Sequence, residues 1–267
     1  MFNGVLGFLA VMASAFAAFC ALLYWRQESF IFFPRPNDVM LAQKQQANRV
    51  VIPASDAQLE GWWIANPRAT SDAVILYFGG NAEDILYTAT TAPMLNAQRM
   101  LVVNYRGYGR STGKPGQKVL YDDALAIYQH VVTAGEATPA QIVVMGRSLG
   151  SGVAAMLAGQ RPVRGAILVT PFDSLGAVAA RHYSFMPVRL LLRHPFPSVE
   201  WARQAKAPAL ILAGERDHII PPVHAQRLHA AWAGDKQIHI LEGVGHNDIE
   251  LNPEYYRLIN EFLEKSG

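Results

Sequence analysis

The run QIVVMGRSLGSGVAAMLAGQ, residues 141–160, passes from an apolar segment through a glycine-flanked serine into a stretch of small helix formers. IVVM reads as a buried strand and SGVAAMLAGQ as a helix, which puts GRSLG, Gly146 to Gly150, at a sharp strand-to-helix turn. At such a turn the serine backbone is strained, and a side chain two positions to either side would strike the neighbouring strand or helix. Glycine at 146 and 150 removes that collision. The expected result is an exposed Ser148 hydroxyl, with the Leu149 amide at a helix N-terminus placed to donate to an oxyanion.

With glycine and serine each near ~7% of residues, the bare pattern arises by chance roughly 0.1 times in a chain of this length, so context has to separate a true turn from a coincidence. A second match supplies the control. GRSTG, Gly109 to Gly113, lies in NYRGYGRSTGKPG, where several loop residues follow the preceding strand and Pro115 blocks a helix directly afterwards. Ser111 therefore reads as a loop residue and Ser148 as the nucleophile.

A nucleophilic serine needs a base to take its proton and an acid to hold that base in the right tautomer. APALILAGERD, Ala207 to Asp217, is a buried strand ending in a carboxylate, and KQIHILEGVGHND adds a further strand and a glycine-rich turn presenting His246. Ser148, Asp217 and His246 follow the chain order of this architecture. Asp173, after the strand RGAILVTP, is the rival acid, and Asp248 reads as a loop partner. His239 falls within a strand, while His218, His224 and His229 belong to the next loop and helix, where a lone histidine is usually structural.

The second oxyanion donor is expected after an earlier core strand. In AVILYFGGNAED, Ala73 to Phe78 is the strand, and Gly79, Gly80 and Asn81 let the backbone approach a substrate oxygen. The plainer reading is a strand-to-helix turn with Asn81 as the helix cap, and the two are compatible.

Taken in order, LYFGGNAED, VVNYRGYGRSTGKP, VMGRSLGSGVA, ILAGERDHIIPP and EGVGHND resemble the membrane-anchored branch of the alpha/beta-hydrolase-domain proteins. The resemblance runs from about Glu28 to Phe262 and includes a juxtamembrane ESFIFFPRP. It implies a serine hydrolase with Ser148, Asp217 and His246 as triad and the amides of Asn81 and Leu149 as oxyanion hole. Two positions depart from that pattern: Gly79 stands where the family usually has a histidine, and Glu83 where it has a glycine.

At 267 residues, about half of them apolar, the chain can build one α/β catalytic core. Apolar runs at 73–78, 100–104, 141–145, 165–170, 209–213 and 237–241 alternate with helical stretches, the signature of a mostly parallel sheet covered on both faces. RVVIPAS and AQLEGWWIA read as an antiparallel hairpin leading into it. A net charge of +2 with scattered Lys and Arg carries no nucleic-acid footprint. The histidines lack zinc spacing and Cys20 is the single thiol, so neither a metal nor another cofactor is expected.

From Gly4 to Trp25 no residue is charged, enough to span a bilayer, and Tyr24 and Trp25 fall where an interfacial aromatic pair would lie. A cleaved signal peptide is the rival. Small residues at 13–18 imitate a cleavage site, but Met1, Phe2 and Asn3 offer only the terminal amine as positive charge. Phe19 before Cys20 argues against lipidation. Arg26 and Arg35 follow the span, so the positive-inside tendency puts the body on the cytoplasmic side. The expected division is an anchor at 4–25, a juxtamembrane segment at 26–48 and a hydrolase domain at 49–267.

Residues 172–206 form the sizeable insertion, where a short lid is expected. Phe185, Met186, Leu190, Leu191 and Phe196 either line an acyl pocket or pack a helix onto the sheet, and Arg181, Arg189 and Arg193 either attract an anionic head group or form a solvated face. The expected activity is hydrolysis of ester or thioester bonds, lipid-like acyl groups favoured. The alternatives are a peptidase of prolyl-aminopeptidase type, for which the lid offers only Asp173 and Glu200 to hold a substrate amine, or an inactive membrane-anchored interaction protein on the same scaffold.

Overall fold

Val74, Leu76 and Phe78 pack into one hydrophobic cluster while Ile75 and Tyr77 pack into another, because successive side chains of a strand point to opposite faces. All five residues of this strand, β3 (Val74–Phe78), are therefore buried, as expected of a sheet covered on both sides. The computed structural model describes residues 2–265, so Met1 and the end of the expected 49–267 domain, Ser266 and Gly267, lie outside the described residues.

The sheet has eight strands in the order β1-β2-β4-β3-β5-β6-β7-β8. β1 (Arg49–Ala54) and β2 (Ala57–Ala65) form the expected hairpin, and β2 lies antiparallel to β4 (Arg99–Val103). Every other pairing is parallel, through β3, β5 (Ile142–Arg147), β6 (Gly165–Val169), β7 (Ala209–Gly214) and β8 (Lys236–Leu241). Each apolar run picked out in the sequence is thus a strand of one mostly parallel sheet, and the α/β expectation is borne out.

The chain begins with α1 (Phe2–Arg26), a short turn of helix α2 (Glu28–Ile31) and α3 (Val39–Lys44). α4 (Ile85–Thr91) follows β3, with Asp84 capping the Leu86 amide at 3.1 Å. α5 (Gln117–Thr133) buries Leu120, Ala124, Ile127 and Val131, an i, i+4, i+7, i+11 stripe against the sheet. α6 (Leu149–Gln160) is buried all round. Its small residues allow close approach to neighbours: a Cβ on Gly159 would lie 2.8 Å from the Trp201 carbonyl oxygen. The insertion carries α7 (Leu175–His182), α8 (Val188–Leu191) and α9 (Ser198–Ala202), and α10 (Pro222–Ala231) joins β7 to β8. α11 (Glu254–Lys265) closes the second face through Tyr255, Leu258, Ile259, Phe262 and Leu263.

Arg106 locks the β1–β2 turn to α5. Its guanidinium makes a bidentate pair with Asp123 at 2.7 Å on each arm and reaches Asp56 at 2.6 Å. Both Arg106 and Asp123 are buried, so removing one partner leaves the other charge without solvent. Arg106→Ala is expected to lower the unfolding free energy by about 3 kcal/mol or more, measured by chemical denaturation in detergent.

Candidate active site

Ser148 sits between β5 and α6 with φ +50° and ψ −116°, the strained turn anticipated from GRSLG. The flanking glycines are obligatory here. A Cβ on Gly146 would lie 2.1 Å from the Gly150 carbonyl oxygen, and one on Gly150 would lie 1.9 Å from the Phe78 oxygen and 2.7 Å from that of Gly79. The close approach presses the start of α6 against the end of β3, which brings the Gly79–Asn81 loop beside Ser148.

Two later strand ends complete the constellation. His246 Nε2 lies 2.9 Å from Ser148 Oγ, and His246 Nδ1 lies 2.7 Å from Asp217 Oδ2. A carboxylate only accepts, so Nδ1 carries the proton and Nε2 accepts from the serine hydroxyl. The other Asp217 oxygen takes the amides of Ile219 and Ile220 at 2.9 and 2.7 Å, which fixes the carboxylate. His246 reaches inward because the turn before it is tight: Gly243 has φ +75°, and the Gly245 amide donates to Asp248 at 2.7 Å, the loop partnership expected of that aspartate.

The competing residues lie elsewhere. Ser111 is buried with its hydroxyl committed, accepting from the Glu60 amide at 2.8 Å and donating to the Asn104 carbonyl at 3.0 Å. Asp173 pairs with His224 at 2.7 Å and with Arg227 at 3.4 Å. Burial pushes its carboxyl up, but the hydrogen bonds from His224, the Ser174 amide and Arg227 outweigh burial and hold it below the ordinary value.

The loop after β3 is braced by groups that motif reading did not assign. Glu83, noted in the sequence as a departure, accepts from the Gly80 amide at 2.7 Å, from Tyr77 Oη at 2.7 Å and from Thr88 Oγ1 at 2.5 Å. The Gly80 amide is thereby consumed. Asn81 presents the next amide, which has no acceptor among the described residues, and the Leu149 amide, in the first turn of α6, has no carbonyl one turn back. Asn81 does not cap α4, since Asp84 does; its side chain donates instead to the Ile31 carbonyl at 3.2 Å.

Tyr105 and Tyr108 hold the same loop from below, donating to the carbonyls of Gly79 at 2.8 Å and Asn81 at 2.6 Å. Burial pushes both phenols up, Tyr108 to about 12, so each stays a hydrogen-bond donor. The Phe33 amide adds a bond to the Asn81 carbonyl at 3.1 Å. Arg147, next to the serine, donates to the His246 carbonyl at 3.2 Å. Burial works against its charge, but Glu83 at 3.8 Å and Glu250 at 3.9 Å keep it protonated. The sequence signal for these braces was present in NYRGYGRSTG and in the unexpected Glu83, but their partners lie far away along the chain.

A cleft of about 430 Å³ opens beside Ser148. Its apolar walls are Phe30 and Ile31 on one side and Phe172, Leu175, Val178, Ile219 and Ile220 on the other. None of the lid residues considered for an acyl pocket, Phe185, Met186, Leu190, Leu191 and Phe196, lines it. Phe196 is buried beneath the lid, against Phe32, Tyr121 and Phe172, while Phe185 and Leu190 point outward. The reason is tertiary: α7 turns Leu175 and Val178 to the cleft, and the segment following α1 supplies the opposite wall. No group of three or more His, Cys, Asp or Glu arranged to hold a metal ion occurs among the described residues.

The family described as serine aminopeptidase, S33, matches residues 69–201, which include the strained turn and the loop after β3. An uncharacterised protein of Mycobacterium tuberculosis is 36% identical over 252 residues, covering 92% of this chain and 89% of that one. An uncharacterised membrane protein of Saccharomyces cerevisiae is 31% identical, with 79% of this chain and 76% of that one covered. An alpha/beta hydrolase domain-containing protein of Arabidopsis thaliana is 29% identical, with 78% and 75% covered. Among solved structures, a Pyrococcus furiosus esterase superposes with a TM-score of 0.68 at 19% identity, covering 88% of this chain and 98% of that one, a likeness of fold. The chain is an alpha/beta hydrolase and belongs to the alpha/beta-hydrolase-domain family.

Proposed function

We propose that the protein is a membrane-anchored serine hydrolase that cleaves carboxylic ester or thioester bonds of lipid-like acyl substrates. The observation that carries this reading is the hydrogen-bonded chain Ser148–His246–Asp217 at the head of an apolar cleft. Ser148 Oγ attacks the carbonyl carbon as its proton passes to His246 Nε2, and Asp217 stabilises the imidazolium. The carbonyl oxygen becomes an oxyanion held by the amides of Asn81 and Leu149, with the N-terminal end of α6 adding favourable potential. Collapse expels the alcohol or thiol, which takes the proton from Nε2. Water, deprotonated by the same nitrogen, then releases the acid and restores the serine.

The acyl preference rests on the lining. Phe172, Leu175, Val178, Ile219 and Ile220 offer an apolar wall to an alkyl chain, and the volume is that of a small-molecule site. A peptidase reading requires a carboxylate free to bind a substrate amine. Glu83 is the one carboxylate lining the cleft among the described residues, and it is already engaged by Gly80, Tyr77 and Thr88, while Asp173 is committed to His224 and Arg227. The anchor is α1. Its residues 4–26 are long and apolar enough to cross a membrane, about 34 Å of helix, and their side chains are exposed rather than packed on the body. Arg26 and Arg35 then favour a cytoplasmic catalytic body.

Ser148→Ala is expected to abolish labelling by a fluorophosphonate and to cut turnover by on the order of a million-fold, while Ser111→Ala leaves labelling intact. Labelling that survives the first change and disappears in the second moves the nucleophile to Ser111.

The two strand-end aspartates should separate cleanly. Asp217→Asn is expected to reduce turnover about ten-thousand-fold with little loss of stability, since the amide imposes the wrong histidine tautomer. Asp173→Asn is expected to keep most of the activity but to lose about 3 kcal/mol of stability at neutral pH, read by denaturant titration. Because the folded Asp173 carboxyl lies below its ordinary value of 3.8, its contribution is present above that pH and fades as pH falls through the folded value, so the two proteins converge in strong acid.

Full-length protein in membranes is expected to resist extraction by alkaline carbonate or high salt, because apolar insertion is not screened by ions. Recovery of a mature N-terminus near Ala18 would instead identify the segment as a removed signal.

A further inference from the structure

The mouth of the cleft carries a band of exposed apolar side chains that nothing in the described chain covers. Phe30, 62% exposed, lies on the segment after α1; Phe185, 67% exposed, and Leu190, 83% exposed, lie on the lid; Ile219, half exposed, lies on the loop that carries Asp217. Bonds between neighbouring backbone and side-chain groups place the segments that carry them beside one another. Phe30 and Ile219 both border the cleft, the Ile219 carbonyl meets His182 Nε2 at the end of α7 at 2.9 Å, and the chain just after Leu190 is bonded to Gln27. A lone exposed leucine carries little information, but several large apolar side chains exposed on adjoining segments beside a site entrance mark an apolar partner.

The exit of α1 identifies that partner. Gln27 is buried, its Nε2 donating to the Leu191 carbonyl at 3.0 Å and its Oε1 accepting from the Arg193 amide at 2.7 Å. Glu28 pairs with Arg193 at 3.1 Å and lies 3.5 Å from His194 Nε2, and the Arg193 guanidinium lies over the Tyr24 ring at 5.3 Å. The membrane-spanning helix is therefore fastened to the lid rather than tethered through a free linker. From Trp25 to Phe30 the chain reaches at most about 18 Å, so the band sits close to where the span leaves the hydrocarbon. Exposed Arg26, Arg181 and Arg189 accompany it, the mixture of apolar and basic side chains that suits the headgroup boundary of a bilayer with anionic lipids.

We infer that Phe30, Phe185, Leu190 and Ile219 form a membrane-docking face, so that the bilayer holding α1 also covers the rim of the cleft and lipid acyl chains enter it sideways. This rests on the reading of α1 as an anchor and of Ser148 as a nucleophile. An acyl chain taking this route passes from hydrocarbon to an apolar cleft without exposing its methylenes to water. The lid then serves as a surface that dips into the interface, with Phe185 and Leu190 as its deepest points.

The test uses the full-length chain with Cys20→Ser, carrying a single cysteine in place of Val11, Phe185, Leu190 or Asp235, each labelled with an environment-sensitive fluorophore. The proteins are reconstituted into vesicles of phosphatidylcholine and phosphatidylglycerol containing spin-labelled acyl chains. Position 11 reports the anchor, and position 235, exposed at the start of β8 on the opposite end of the sheet, is the control. Quenching at 185 and 190 as well as 11, with none at 235, is the expected result. Quenching at 11 alone overturns the docking face and leaves the anchor; absence of quenching at 11 removes the anchor and this inference with it. In parallel, Phe185→Ser combined with Leu190→Ser is expected to lower turnover of a vesicle-borne long-chain ester about tenfold, a factor worth one step of the affinity scale. Hydrolysis of a short water-soluble ester should be unchanged, which also shows that the variant folds. Equal activity on both esters, relative to the unaltered chain, overturns sideways entry, and loss of the short-ester activity in Ser148→Ala tests the nucleophile separately.

Discussion

The contact on which the rest of the structure depends is the approach of Gly150 to the backbone of Phe78 and Gly79, where a single added carbon would sit 1.9 Å from an oxygen. That contact draws the first turn of α6 against the end of β3. It brings the Gly79–Asn81 loop beside Ser148, whose backbone is held at a positive φ in the turn. The strain persists because α6 is buried from Leu149 to Ala158 and cannot relax away from the sheet.

Around this contact the chain spends its polar groups on position rather than proton transfer. Glu83 takes the Gly80 amide, Tyr105 and Tyr108 take the carbonyls on either side, and Arg147 reaches across to the backbone of His246. Each brace is buried or half-buried, where a hydrogen bond is worth more than in water and an unmade one is costly. The same loop is tied to the segment after α1 through Asn81, Ile31 and Phe33. Through that tie the segment leaving α1 is joined to the proposed oxyanion site.

The molecule also holds two Asp–His pairs of the same length, 2.7 Å in each. What distinguishes them is the other ring nitrogen. His246 Nε2 faces Ser148 at 2.9 Å at the edge of the cleft, whereas His224 Nε2 is sealed in the interior with no partner. One pair ends on a serine hydroxyl at the cleft, and the other joins the lid to α10.

By itself the sequence determined the strands, the hairpin, the strained turn at Ser148 and the order in which Asp217 and His246 follow it. Those features are local: alternation and apolar runs specify strands, and two glycines around a serine have one good steric explanation. The sequence also favoured Ser148 over Ser111 and Asp217 over Asp173, and it left open whether the lid's apolar residues line a pocket or pack a helix. Tertiary structure gave each of these residues its contacts, because those depend on which groups from distant segments arrive at the same place. Ser111 is held by Glu60 and Asn104, Asp173 by His224, and Phe196 by the aromatic cluster beneath the lid, while Phe30 and Ile31, just after the apolar helix α1, line the cleft. No periodicity or spacing records that the segment leaving α1 folds back onto the lid, since the bonds from Gln27 to Leu191 and Arg193 join residues 164 and 166 positions apart.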